Sequence, residues 1–243
     1  MSKKQYSNNF LILDTETTIK GENMPYQSVF DIGWTISDRE GNILQKRSYV
    51  VQEFFKQAIY SSKAFLIDSG FLDSSVYIEK IRRLDMKVEK WSEIIKRLKS
   101  DSTFYGVEYV GAYNLAFDMR VIEKTQFTLG SERTFDNLNY FENYFLIDLY
   151  PACVHTVLDT VKYKEFAIEH NLITEKGNFQ CGAEPSYKFL FNEPNYIEEH
   201  TALQDSLDET KILHYLLNNY ENIPLYAFSV DGQAWRHLNR KEE

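Results

Sequence analysis

Phe10-Leu11-Ile12-Leu13-Asp14-Thr15-Glu16 is the stretch on which the reading of this chain turns. Four consecutive apolar residues run straight into two carboxylates, the pattern of a buried strand that ends at a charged mouth. Residues i and i+2 of a strand point to the same face, so Asp14 and Glu16 are presented side by side. Together they offer the oxygen ligands that hard divalent cations prefer. Asp-x-Glu by itself is a weak signal, since a chain of this composition holds roughly one by chance. Its position sharpens it, because charge led into an apolar core is costly without a compensating cation.

Outward from that strand, residues 29–36 read as a second strand, Asp38-Arg39-Glu40-Gly41-Asn42 as a turn and residues 43–51 as a returning strand. Over residues 76–100, Ile78, Ile81, Leu84, Val88, Trp91, Ile94, Ile95 and Leu98 recur at spacings of three and four, which predicts one long amphipathic helix. Its other side carries Lys80, Arg83, Lys87, Lys90, Arg97 and Lys99. Such a run is ordinarily a solvated face; a patch for strand phosphates is the sharper alternative. Residues 107–113 predict a strand, 145–149 a short strand, 156–170 a helix, 172–182 a small hairpin around Lys176-Gly177-Asn178, 183–190 a short helix and 198–220 a long one. Three opening strands followed by mixed strands and helices imply an α/β domain built on a mixed sheet. The expectation is a single domain over 1–243, with a core at 9–220 and a C-terminal tail at 221–243.

Composition narrows the function classes. At 43% hydrophobic and 15% aromatic, the chain has ample material for a core and is not a disordered segment. No apolar run is long enough to cross a bilayer, and MSKKQYSNNF lacks the apolar centre of a secretory signal, so the expected compartment is the cytoplasm. Cys153 and Cys181 lie far apart without metal-ligand spacing and read as reduced thiols. The formal charge of −9 weighs against a simple electrostatic nucleic-acid binder.

Two further constellations stand out. Val110-Gly111-Ala112-Tyr113-Asn114-Leu115-Ala116-Phe117-Asp118 runs from a strand through a turn into a helix beginning near Ala116, with Asp118 in its first turn. His200-Thr201-Ala202-Leu203-Gln204-Asp205 opens the last long helix. A spacing of five turns about 140° on a helix, so His200 and Asp205 flank one site only if His200 lies at or before the helix start. Asp208 and Glu209 are expected to face solvent, and His155, His170, His214 and His237 to be structural.

Taken together, Leu13-Asp14-Thr15-Glu16-Thr17-Thr18, then Ala112-Tyr113-Asn114 with Phe117-Asp118, then His200 through Asp205 resemble the three motifs of the DEDDh exonucleases. That family includes the proofreading subunits of bacterial replicative polymerases (the DNA polymerase III epsilon type), ribonuclease T and oligoribonuclease. Residues 54–77 bear a weaker likeness to phage-encoded members. The resemblance implies a ribonuclease-H-like mixed β-sheet flanked by helices and two Mg²⁺ or Mn²⁺ ions held by Asp14, Glu16, Asp118 and Asp205. It also implies His200 as general base, an imidazole being the side chain that takes and gives protons near neutral pH. Thr17 and Thr18 match the family's substrate-contacting extension of the first motif; Tyr113 and Asn114 are carried with them as substrate contacts. The implied reaction is 3′→5′ hydrolysis of terminal phosphodiesters to nucleoside 5′-monophosphates. The implied partner is the 3′ end of a single strand, DNA ahead of RNA, with a DNA polymerase as a candidate companion and no membrane. Two divalent cations would take the formal −9 to −5 and make substrate binding local. The alternative reading is a catalytically inactive ribonuclease-H-like subunit of a polymerase or nucleic-acid complex.

Overall fold

The computed structural model describes residues 9–19, 27–60, 64–70, 73–130, 140–220, 223 and 228–239. Six strands, β1 (Asn9–Thr17), β2 (Val29–Ser37), β3 (Ile43–Val51), β4 (Lys87–Glu89), β5 (Val107–Ala112) and β6 (Phe145–Asp148), form one sheet in the order β4-β3-β2-β1-β5-β6. β2 runs antiparallel to both β1 and β3. The pairs β1–β5, β5–β6 and β3–β4 are parallel. This is the mixed α/β sheet that the opening three strands imply.

The period of two along β1 divides the core. Leu11 and Leu13 join Trp91, Ile94 and Leu98 of α4 (Trp91–Phe104) and Leu115, Val121 and Ile122 of α5 (Leu115–Leu129) on one face. Phe10 and Ile12 point the other way, to Leu213 of α9 (Ala202–Asn219). A second apolar cluster gathers α6 (Leu149–Cys153), α7 (Val161–Glu169), α8 (Ala183–Phe191) and the last helix, α10 (Trp235–Leu238), against Ile212 and Leu216 of α9. The short helices α1 (Gln52–Phe55), α2 (Phe65–Asp68) and α3 (Ser74–Arg82) link β3 to β4.

β2 and α9 meet through polar and small residues. Asp31 Oδ2 accepts from the Ala202 amide at 3.1 Å, Thr35 Oγ1 donates to the Ser206 carbonyl at 3.3 Å, and Ser37 Oγ bonds His214 Nε2 at 2.9 Å. Two strand steps advance about 6.6 Å and four helix residues about 6.0 Å, so alternate positions of β2 keep pace with successive turns of α9. Gly33 sits within this series. A Cβ there would lie 2.2 Å from the Leu203 nitrogen and 2.4 Å from the Ala202 carbonyl carbon, so only glycine admits the helix backbone.

Three expectations from sequence are corrected. Residues 76–100 are not one helix. α3 ends at Arg82, Leu84 takes φ +64° and is 79% exposed, and β4 pairs in parallel with β3 before α4 begins. Val88 lies opposite Val50 in that pairing, and Met86 is buried, so edge pairing overrides the helical period. Residues 156–170 are broken as well: a π-helical turn, Val154–Leu158, stops at Asp159, and Thr160 restarts the chain by accepting the Tyr163 amide. The long helix begins at Ala202 rather than 198, because His200 is left-handed at φ +57° and Thr201 is extended. The polar loop expected around Gly21 and Pro25 lies outside the described residues. Among those described, no helix is long and apolar enough to cross a membrane.

Gly33→Ala is expected to lower unfolding stability by about 1–3 kcal/mol through forced displacement of α9. Urea unfolding followed by far-UV circular dichroism measures it, and an unchanged midpoint would contradict the β2–α9 contact.

Candidate active site

Asp14 and Glu16 share the α9-facing side of β1, opposite Gly33 and Asp31 of β2. The glycine contact brings the first turn of α9 down beside them, and Asp205 lies in that turn. One carboxylate oxygen each from Asp14, Glu16 and Asp205 lie within 4.8 Å of one another. Asp118 is in the first turn of α5 and reaches the end of β1 from the other side, where its Oδ1 accepts from Thr15 Oγ1 at 2.7 Å. The turn ahead of α5 is fixed by two more acids. Asp148 Oδ1 accepts from the amide of Asn114, a residue at φ +69°, and Glu209 Oε2 accepts from the amide of Tyr113, both at 3.0 Å.

Burial, followed by the charge of Asp118 and then of Glu198 and Asp31, pushes the Asp14 carboxyl well up. Glu16 is raised by burial and then by Asp14. Asp205 is raised far by burial and then by Asp14 and Glu198. Burial lifts Asp118 and Asp31 from 3.8 to about 7. Glu209 rises through burial and the charges of Asp14 and Asp118. Like charges this close are tolerable only when protonated or when a cation lies among them. Among the described residues Asp14 Oδ2 and Asp205 Oδ1 are buried without a hydrogen-bond donor. An all-oxygen cluster with undonated lone pairs fits a divalent cation of the hard class.

His200 stands beside this group, ahead of α9 as the spacing requires. Its Nδ1 is 3.8 Å from Glu198 Oε2, and Glu184, Glu198 and His200 form a second cluster of ligand atoms within 4.8 Å. Glu198 is raised to about 7, first by burial and then by Glu184. Its charge acts on Asp14, Glu16 and Asp205, so the two clusters adjoin.

The expected substrate contacts fall into different settings. Thr17 and Thr18 are buried, and the Thr18 hydroxyl accepts from the Ser28 amide at 3.1 Å. The Tyr113 hydroxyl donates to the Cys181 carbonyl at 2.7 Å, and its ring packs in the core. Asn114 is exposed.

Asp208 and Glu209 do not face solvent as expected; they are 4% and 2% exposed. Asp208 pairs with Lys211 at 2.7 Å and accepts from Gln204 and Tyr196. Glu209 lies four residues after Asp205 on one helix face, a spacing that marks it as a neighbour of the site. Asp31 was missed too. Its signal is the alternation Asp31, Gly33, Thr35, Ser37, which puts small and polar residues on one face of β2.

The sequence matches no protein-family model, and no curated protein matches it. Among solved structures, the crystal structure of cell-death related nuclease 4 (CRN-4) is similar at a TM-score of 0.51 and 16% identity, over 88% of this chain and 64% of that one. The chain thus spans less than two thirds of the length of that structure. The likeness is one of fold, a ribonuclease-H-like mixed sheet flanked by helices.

Asp31 and Asp118 hold protons in the folded chain that the unfolded chain releases above 3.8. Their stabilising protonation is full below that value and is lost as pH rises through about 7. In chelator, the melting temperature is therefore expected to fall between about pH 4 and pH 7, less steeply in Asp31→Asn. Mg²⁺ or Mn²⁺ is expected to restore it at the upper pH. Thermal melts across that range check this, and a metal-free melting temperature that climbs with pH contradicts it.

Proposed function

We propose that this chain is a metal-dependent 3′→5′ exonuclease that releases nucleoside 5′-monophosphates from the end of a nucleic-acid strand. The observation that carries the proposal is the convergence of Asp14, Glu16 and Asp205 oxygens within 4.8 Å, two of these carboxylates holding undonated buried oxygens. The resemblance of the three motifs to DEDDh exonucleases and the fold shared with a protein titled a nuclease support the same reading.

Asp14, Glu16, Asp118 and Asp205 would hold two Mg²⁺ or Mn²⁺ ions, which supply charge neutralisation and a clamp on the attacking and leaving oxygens of an in-line displacement. Thr15 steadies Asp118 by its hydrogen bond, and Glu209 and Asp148 hold the turn that delivers it. His200 takes a proton from the attacking water at Nε2. Its Nδ1 faces Glu198, whose carboxylate stabilises the imidazolium formed. The formal net charge of −9, or −5 with two divalent cations, disfavours non-specific duplex binding, so the strand is held locally at its 3′ terminus. DNA is proposed ahead of RNA, and a DNA polymerase as a companion.

Asp14→Ala or Asp205→Ala is expected to lower turnover by at least ~10³-fold, about 4 kcal/mol of transition-state stabilisation. His200→Ala is expected to lower it by ~10²–10⁴-fold. Release of labelled mononucleotide from a short single strand with Mg²⁺ measures both, on matched DNA and RNA. A circular strand should remain uncut. Cleavage of the circle would replace the proposal with an endonuclease, and no metal-dependent release from any strand would leave an inactive subunit.

A further inference from the structure

A second group of metal-binding side chains lies outside the acid cluster, on the C-terminal segment. His155 belongs to the π-helical turn after α6, Asp231 precedes α10, and His237 is within α10. One ligand atom from each lies within 4.8 Å of the other two, and the two imidazole rings are 4.7 Å apart between centroids. We propose that His155, Asp231 and His237 form a zinc-class site that fastens α10 to the turn after α6.

The donor set argues for the class of cation. Two imidazole nitrogens and one carboxylate oxygen suit Zn²⁺ and its borderline neighbours, whereas the all-oxygen site at Asp14 suits Mg²⁺ or Mn²⁺. In a tetrahedral zinc site with bonds of 2.0–2.1 Å, ligand atoms are about 3.3 Å apart. Ligand atoms within 4.8 Å of one another need closure by no more than about 1.5 Å, within reach of a side-chain torsion at the surface. The backbone carrying the ligands is already held. Ala234 and Leu238 are buried on either side of the bend, the Trp235 amide donates to Tyr150 Oη at 2.7 Å, and Asn239 Oδ1 accepts from the Phe179 amide at 2.7 Å. Asp231 Oδ1 accepts from the Gln233 amide at 2.9 Å, which fixes the rotamer of the carboxylate. Three protein ligands leave a fourth position for water, and the consequence of occupancy is mechanical: the cation joins the last described helix to the body of the fold.

The test uses the full chain, stripped with chelator and then held in excess Mg²⁺ to fill the acid cluster. Co²⁺ is added as a visible probe and displaced with Zn²⁺. One equivalent of Co²⁺ is expected to give the strong visible bands of a low-coordinate nitrogen-and-oxygen site, and Zn²⁺ to raise the melting temperature. Both responses should persist in Asp14→Asn. His155→Gln and His237→Gln should each weaken Co²⁺ binding by ~10²-fold or more, since losing a ligand outweighs the 10–100-fold cost of losing one of its supports. His237 is at the surface, so His237→Gln decides if His155→Gln does not fold by circular dichroism. Absence of uptake, equal bands in the histidine variants, or bands lost in Asp14→Asn would each overturn the site. None of these results bears on the nuclease proposal, which rests on different residues.

Discussion

The α9 backbone comes close enough to β2 that no atom larger than hydrogen fits on Gly33. The register of this contact is set by hydrogen bonds that join Asp31, Thr35 and Ser37 to Ala202, Ser206 and His214 along α9. It carries Asp205 to the end of β1, where Asp14 and Glu16 already point the same way. A slip of one residue in β2 would turn the small and polar positions toward the opposite core and close the approach. The site is thus a by-product of how a helix is allowed to lie on a sheet.

The same arrangement concentrates negative charge. Asp14, Glu16, Asp118, Asp205 and Glu209 act on one another across the end of β1, and each is shifted upward chiefly by burial. A fold built for stability alone would place apolar side chains there. Keeping carboxylates at that spot weakens the metal-free chain and suits the cluster to a divalent cation, whose binding would restore stability. On the proposed function, stability and activity would both depend on one variable, the occupancy of the cluster by divalent ions.

Much of this was legible in the amino-acid order. The run Phe10 to Leu13 into Asp14 and Glu16 announced both a buried strand and the direction of its acids, because strand periodicity is a local property. That His200 must lie at or before the start of α9 to share a site with Asp205 was a condition the spacing set, while the helix expected from residue 198 would have enclosed it. What escaped reading was set by contacts far apart in the chain. The break at Leu84 depends on β4 pairing with β3, and the apolar spacing of residues 76–100 carries no trace of that partner. Glu209 looked like a solvated acid because its partner, the Tyr113 amide, is 96 residues away. Asp31 drew no reading from sequence because its partner, the Ala202 amide, is 171 residues away.

The bond between Asp31 and the Ala202 amide spans 171 residues of sequence. Loop closure on that scale is slow, and nothing nearer in the chain substitutes for it. During synthesis strands β1 to β6 emerge ahead of α9, the helix that completes the charged pocket. A growing chain therefore lacks the assembled acids until α9 has emerged.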